Sequence, residues 1–179
     1  MTEREMAEGC RAGDNQARRA LYECYGGRLL ALCRRYTGRQ EEAEDLLHDG
    51  FLSVFSAIRT FRYRGQGSLE AWLRRVFANR AVAYLQERRR LTFTDTDELP
   101  ELPDEAPPPE LPADVLLRLI GQLPPGYRTV LNLYLIEGWS HRDIARQLHI
   151  KESTSASQYL RAKALLKKEI IQYQKTHDA

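Results

Sequence analysis

Residues 140–163 read SHRDIARQLHIKESTSASQYLRAK, and this stretch decides the fold of the C-terminal part of the chain. Ser140, followed three residues later by an acid, is typical of a helix N-terminus, because the hydroxyl caps a backbone N–H that the helix leaves without a partner. The pattern predicts a short helix over 141–148, a tight turn at 149–151 and a long helix over 152–173. A short helix, a turn and a longer helix make up a helix-turn-helix.

The second helix of such a motif enters the major groove of DNA, with its N-terminal residues on the base edges. Here that helix carries hydrogen-bonding side chains at the positions predicted to be exposed. Gln pairs well with adenine, Arg pairs with guanine, and Ser or Thr pairs with either base. Lysines are suited to phosphate contacts. The predicted base contacts are Ser153, Thr154, Ser157, Gln158 and Arg161, and the predicted phosphate contacts are Lys151, Lys163, Lys167 and Lys168. An ordinary basic surface helix is the alternative that these residues alone leave open.

Helical periodicity also runs through the first half of the chain. Apolar residues recur at spacings of three and four over 43–58 and again over 17–33, where Gly26-Gly27 is a predicted weak point. A third long helix is predicted over 69–90, with Ser68 as its N-cap. No stretch alternates every second residue as a strand does. The sequence therefore predicts an all-α fold.

Charge and proline content divide the chain. Residues 62–90 carry eight basic and two acidic side chains, 118–179 carry ten and five, and 91–117 carry eight acids with no Lys or Arg. Six of the eight prolines also lie between Pro100 and Pro112. Because proline disfavours helix and like charges repel, this acidic segment is predicted to be a flexible, extended linker. The predicted domains are 1–94 and 113–179, joined by the linker 95–112, with further helices over 113–123 and 127–137.

Composition excludes several classes of protein. No apolar run in these 179 residues approaches the roughly 18–20 residues of a membrane span, and the N-terminus lacks an apolar signal segment, so a cytoplasmic protein is expected. The three cysteines have no C-x-x-C spacing, which argues against a disulfide framework or a zinc ribbon. No His, Cys, Asp and Glu constellation completes a catalytic or metal site. We therefore expect no enzyme activity, no cofactor and no metal, whereas the two basic blocks indicate a polyanionic partner.

Two blocks of sequence resemble bacterial RNA polymerase sigma factors. AEDLLHDGF at 43–51 and GSLEAWLRRVFANR at 67–80 resemble region 2 of these proteins. LPPGYR at 123–128, EGWSHRDIA at 137–145 and the second helix of the helix-turn-helix resemble region 4. With these two regions and a short linker, the chain is similar to the extracytoplasmic-function (ECF) subfamily of the sigma-70-type family. It departs from the common pattern at His48, His149, Lys151, Ser155 and Ala156, where Ser155 replaces an apolar residue.

The resemblance implies a function and a set of partners. A protein of this kind binds core RNA polymerase at the β′ clamp and the β flap, directs it to promoters, helps to open the −10 element and reads the −35 element through region 4. A partner anti-sigma protein commonly holds such factors inactive. The implied polymerase contacts are Asp45, His48, Asp49 and Leu52. The implied −10 contacts are Tyr63, Trp72, Arg75, Asn79 and Arg80. These residue types are suited to binding an unpaired DNA strand, because such a strand needs aromatic surfaces for its bases and cations for its phosphates.

These residues also have alternative interpretations. The polar face around Asp45 could be an ordinary solvated surface and not a polymerase contact, and Trp72 could pack in the core and not contact DNA. A stand-alone regulator that uses only the helix-turn-helix is the rival function, and an enzyme is the third. The segment 61–80 discriminates between the first two, because a protein that binds only duplex DNA has no use for a loop and helix that hold a single strand.

Overall fold

The computed structural model describes residues 1–93 and 110–177, and these residues form helices, turns and loops with no strand among them. The all-α prediction is confirmed. The predicted linker 95–112 lies outside the described residues, apart from 110–112. Within the two described ranges, no helix has both the length and the apolar character that crossing a membrane requires. The helices are α1 (Glu3–Ala12), α2 (Asn15–Thr37), α3 (Gln40–Ala57), α4 (Ser68–Glu87), α5 (Ala113–Gln122), α6 (Pro125–Leu131), α7 (His141–Leu148) and α8 (Glu152–His177).

The chain divides into two compact units. The first comprises Met1–Arg34 and Arg39–Tyr84, and the second comprises Arg35–Gly38 with the described residues from Leu85 onward. The core of the first unit is built from the apolar stripes of its helices, which are fully buried at Leu21, Leu46 and Leu73. Burial of these stripes supplies the main stabilisation of the unit, since helix propensity alone is weak.

Helix α2 runs without interruption through Gly26-Gly27, so the predicted weak point is wrong. Each glycine costs about 1 kcal/mol of helix propensity relative to alanine. The buried side chains on either side of the pair, Leu21, Tyr25 and Leu29, hold this face of α2 against the core. Packing therefore outweighs the local preference.

Helices α3 and α4 approach each other closely at Gly50. A Cβ built there would lie 2.2 Å from Cε1 of Phe77, which is fully buried. The Phe77 ring in turn meets the Phe51 ring edge-on, with centroids 5.4 Å apart. Only a residue without a side chain permits this close approach of α4 to α3 at Gly50.

The predicted N-cap of α4 needs correction. Ser68 is the first residue of α4 and does not cap it. Its hydroxyl donates to the Gly65 carbonyl at 2.6 Å and accepts from the Arg64 backbone N–H at 3.1 Å. The side chain therefore binds the loop that precedes the helix, which is a common alternative for serine.

The second unit has the helix-turn-helix at the predicted position. The Ser140 hydroxyl accepts from the backbone N–H of Asp143 at 3.1 Å, which confirms it as the cap of α7. His149 ends α7 in the left-handed conformation, with φ of 55°, and its N–H donates to the Ala145 carbonyl. Helix α8 then packs on the core of the unit through Ala162, which is fully buried. Helix α6 continues as a π-helical segment, Asn132–Ile136, in place of the single α-helix predicted over 127–137.

Candidate nucleic-acid and protein interfaces

The outer face of α3 presents an apolar side chain among polar ones. Asp45, His48 and Leu52 are exposed and Asp49 is half-buried, because spacings of three and four place all four residues opposite the buried stripe of α3. Leu52 is 55% exposed and is the apolar side chain of this face. Sequence reasoning missed a neighbour of this face, Tyr22 of α2. It is 51% exposed, and its ring centroid lies 4.9 Å from that of buried Phe51.

An ion pair joins α3 to α4 on the surface of the first unit. A guanidinium nitrogen of Arg80 lies 3.6 Å from a carboxylate oxygen of Asp49, and both side chains are partly exposed to solvent. Exposed pairs of this kind stabilise a fold by at most about 1 kcal/mol. The sequence analysis predicted that Asp49 contacts polymerase and that Arg80 contacts DNA, whereas the structure shows that the two form an ion pair.

The loop 61–67 combines a buried end with an exposed middle. Phe61 is buried, and its ring centroid lies 5.2 Å from that of Trp72 on α4. Tyr63, two residues further on, is 39% exposed. Gly65 and Gly67 have φ of 117° and 86°, values that side-chain-bearing residues rarely adopt. Trp72 therefore packs on Phe61 and also remains partly exposed to solvent.

One side of α4 carries the remaining residues predicted to contact a single strand. Trp72, Arg75 and Asn79 follow one another at spacings of three and four, and so share one side of the helix. Arg75 is exposed, whereas Trp72, Asn79 and Arg80 are half-buried. An aromatic ring, two cations and an amide thus lie along a helix that begins at the loop carrying Tyr63. This is the set of groups that an unstacked base and its phosphate require.

The N-terminal part of α8 differs from its prediction. Ser153 and Lys163 are exposed and Ser157 is half-buried, but Thr154, Gln158 and Arg161 are buried, with exposed fractions of 5%, 1% and 9%. The prediction that these three are exposed is wrong. They lie at spacings of four and three directly beside the stripe that faces the core, so the buried part of α8 is wider than its apolar residues indicate. Each of the three has an interaction partner.

A polar and aromatic cluster links the two helices of the helix-turn-helix. Nδ1 of His141, the first residue of α7, lies 2.9 Å from the hydroxyl of fully buried Ser155 on α8. The His141 ring stacks on Tyr134 of the π-helical segment, with centroids 4.1 Å apart and planes within 5°. Burial lowers the pKa of His141, so the neutral ring is favoured. The sequence carried one signal of this cluster, the polar Ser155 at a commonly apolar position.

Comparisons with known proteins agree with this arrangement. The family description Sigma-70 region 2 matches residues 21–91, and Sigma-70, region 4 matches residues 113–166. The chain is 31% identical over 158 residues to the ECF RNA polymerase sigma factor SigE of Mycolicibacterium smegmatis, covering 82% of this chain but only 59% of that protein. It is 27% identical to the ECF RNA polymerase sigma-E factor of Haemophilus influenzae, covering 95% and 96% of the two chains.

Two further similarities complete the comparison. The RNA polymerase sigma-H factor of Pseudomonas aeruginosa is 27% identical, over 93% of this chain and 92% of its own. The solved structure of CnrH in complex with the cytosolic domain of CnrY is 21% identical, with a TM-score of 0.49 over 94% of this chain and 97% of that one. Because the two sigma-70 regions match in order along most of the described residues, the chain belongs to the sigma-70 family, in its extracytoplasmic-function group, and acts in promoter-specific initiation of transcription by RNA polymerase.

Proposed function

We propose that the outer face of α3 binds the β′ clamp of core RNA polymerase through Asp45, His48, Asp49 and Leu52. The observation that carries this proposal is the exposure of Leu52 among two carboxylates and an imidazole. An apolar centre with a charged rim is the usual composition of a specific protein interface. Tyr22 extends the apolar part, since it is also exposed and packs against the core beneath the same face.

The loop 61–67 and α4 hold the separated −10 strand in this proposal. Tyr63 offers an exposed ring, Trp72 a half-exposed one, and Asn79 an amide, while Arg75 and Arg80 supply positive charge. Stacking of one base on an aromatic side chain contributes about 1–3 kcal/mol, which helps to offset the loss of base pairing. The protein adds no bond chemistry; it supplies binding free energy to the unpaired state of the promoter.

Helix α8 reads the −35 element in this proposal, and the burial of three of its residues adds a condition. Ser153, Ser157 and Lys163 are exposed or half-exposed and can contact DNA as they stand. Thr154, Gln158 and Arg161 must exchange their present partners for bases or phosphates. The proposal has three further parts. The β flap is a second polymerase contact, an anti-sigma partner controls the protein, and the chain forms domains 1–94 and 113–179 with a linker over 95–112.

A reconstituted transcription assay tests the whole proposal. Purified protein, sigma-free core polymerase and promoter fragments from the genome of origin should give discrete start sites that depend on the protein. Sequence-specific duplex binding without initiation would favour the stand-alone regulator instead. Asp45→Arg with Asp49→Arg should abolish capture of core polymerase, and the control is Glu8→Arg with Glu23→Arg. These two exposed acids of α1 and α2 give the same change in net charge. Equal capture by both double variants would contradict the assignment of α3.

Two variants separate DNA binding from polymerase binding. Arg161→Glu should weaken binding to duplex −35 DNA and leave capture of core polymerase intact. Because Arg161 is buried, Lys163→Glu serves as a second variant with an exposed side chain on the same helix. A loss of polymerase capture equal to the loss of DNA binding would contradict the role of α8.

A further inference from the structure

We propose that α1 is a brace that holds the loop 61–67 in the conformation that receives the −10 strand, with Arg11 and Glu3 as its two positioning residues. The inference rests on the proposed role of that loop. It concerns residues outside the match to the Sigma-70 region 2 description, which begins at residue 21. It also assigns a function to two side chains to which the sequence analysis gave no role.

Arg11 and Glu3 bind the loop at its opposite ends. A guanidinium nitrogen of Arg11 donates to the carbonyl of Phe61 at 2.7 Å, where the loop begins. A carboxylate oxygen of Glu3 accepts the backbone N–H of Gly67 at 2.8 Å, where the loop meets α4. Both bonds are charge-assisted and so are stronger than hydrogen bonds between neutral groups. The five residues 62–66, including exposed Tyr63, lie between the two anchors.

The Glu3 carboxylate is itself fixed in place. Its other oxygen accepts from the hydroxyl of Tyr25, a buried residue of α2, at 3.0 Å. Burial, and then the hydrogen bond to Glu3, raises the pKa of Tyr25 well above its usual value, so the hydroxyl remains a donor at physiological pH. One carboxylate therefore ties α2 to the end of the loop.

Helix α1 has the rigidity that a brace requires. Its N-terminus is closed by a capping box, in which Glu5 N–H donates to the Thr2 hydroxyl and Thr2 N–H donates to the Glu5 carboxylate. Met6 and Cys10 on its inner side are buried against the first unit. Arg11 lies eight positions after Glu3, which is about 12 Å along a helix axis. A single rigid element thus fixes the distance between the two ends of the loop.

The brace has a consequence for binding of the −10 strand. A loop with two glycines in left-handed conformations has many alternative conformations available, so ordering it costs conformational entropy. When both ends are already held, less of that cost falls on the DNA-binding step. Loss of the brace should therefore weaken strand binding without a change in the groups that touch DNA.

The closing experiment compares the double variant Glu3→Gln/Arg11→Met with a control that removes the same kinds of charge elsewhere in the first unit. The control is Arg19→Met/Glu23→Gln, which removes an exposed ion pair of α2. Holoenzyme is assembled with each variant, and its affinity is measured for a single-stranded −10 oligonucleotide and for core polymerase. We expect the brace variant to bind the oligonucleotide roughly tenfold more weakly, because it loses the two charge-assisted bonds that hold the ends of the loop. Core affinity and the urea midpoint should match those of the control.

Two readouts separate a positioning role from a general structural one. Amide hydrogen exchange at Gly67 should accelerate in Glu3→Gln while the core amides of α2 and α4 stay protected, and Arg11→Lys should recover part of the lost affinity. Unchanged exchange at Gly67, or oligonucleotide affinity equal to that of the control, overturns the brace. Tyr63→Ala distinguishes this failure from failure of the proposed function. If Tyr63→Ala weakens binding and the brace variant does not, only the brace is wrong. If neither variant weakens binding, the role of the loop is wrong and the brace falls with it.

Discussion

The same chemical change should have opposite effects on stability at two glycines of the first unit. Gly67, at the end of the loop, has φ of 86°, and a Cβ added there meets no atom within 4 Å. Gly67→Ala therefore introduces backbone strain without a steric clash. Gly27 lies inside α2 and likewise has open space around an added Cβ. Gly27→Ala therefore changes only helix propensity.

The magnitudes follow from the backbone. A side-chain-bearing residue in the left-handed region costs roughly 1–2 kcal/mol, so Gly67→Ala should lower the free energy of unfolding by about that amount. Alanine is better than glycine in a helix interior by about 1 kcal/mol, so Gly27→Ala should raise it. For a domain of this size, 1 kcal/mol corresponds to about 4–8 °C in Tm. The two variants differ by about 2–3 kcal/mol and should therefore differ by roughly 8–24 °C in Tm, with the wild type between them.

The assay is thermal and urea unfolding of the full chain, followed by far-ultraviolet circular dichroism. An Arg4→Met variant, exposed on α1, controls for the handling of mutants. A neutral or stabilising effect of Gly67→Ala would refute the left-handed turn at the end of the loop. If Gly27→Ala destabilises as much as Gly67→Ala, the argument that α2 is an ordinary helix at that point fails. Agreement in sign with a smaller size would still support both conformations.

Three further outcomes are expected. Because burial lowers the pKa of His141 in the folded chain, the unfolded chain takes up a proton on this ring at a higher pH than the folded chain does. The second unit should therefore lose stability as pH falls through about 6.5. Urea midpoints between pH 5 and 8 should show this dependence in the wild type and lose it in His141→Asn. Ser140→Ala should cost about 1 kcal/mol of unfolding free energy because it removes the cap of α7, whereas Ser153→Ala, exposed on α8, should cost less than 0.5 kcal/mol. Leu52→Ser should reduce affinity for core polymerase at least tenfold in a pull-down titration and leave Tm unchanged, because the side chain is mostly exposed.

The features that one sequence predicted correctly are those set by neighbouring residues. The predicted helix over 141–148 has the bounds that the structure gives α7, because a capping serine and its partner acid lie three residues apart. The apolar stripe over 43–58 located α3, which runs from Gln40 to Ala57. The turn at 149–151 was predicted although His149 adopts φ of 55° without being glycine. In each case the signal lies in the sequence spacing of residues within the element itself.

The features that the sequence did not predict depend on distant packing. Nothing local to Gly26-Gly27 shows that both flanks of the pair are buried, so the weak point was the reasonable expectation. Burial of Gln158 and Arg161 is similar, because their polar chemistry favours exposure and no neighbouring residue in sequence indicates that they are buried. The hydroxyl of Ser68 could bond forward to the helix or back to the loop, and the fold of the loop decides which.

Long-range polar partners are the hardest part to infer, and they affect how the candidate sites must be tested. Glu3 and Gly67 are 64 residues apart in sequence. The identity of a charged residue does not indicate which distant residue it binds. The same holds for Asp49 and Arg80, which sequence reasoning gave to polymerase and to DNA respectively. Because they form one ion pair at 3.6 Å, a substitution of Asp49 also removes one partner of Arg80. A loss of transcription in Asp49→Arg therefore does not identify which surface failed. Asp45→Asn removes a charge from the α3 face and introduces no cation that could pair with Asp49, so polymerase capture and single-strand binding must be compared between these two variants before either residue is given a role of its own.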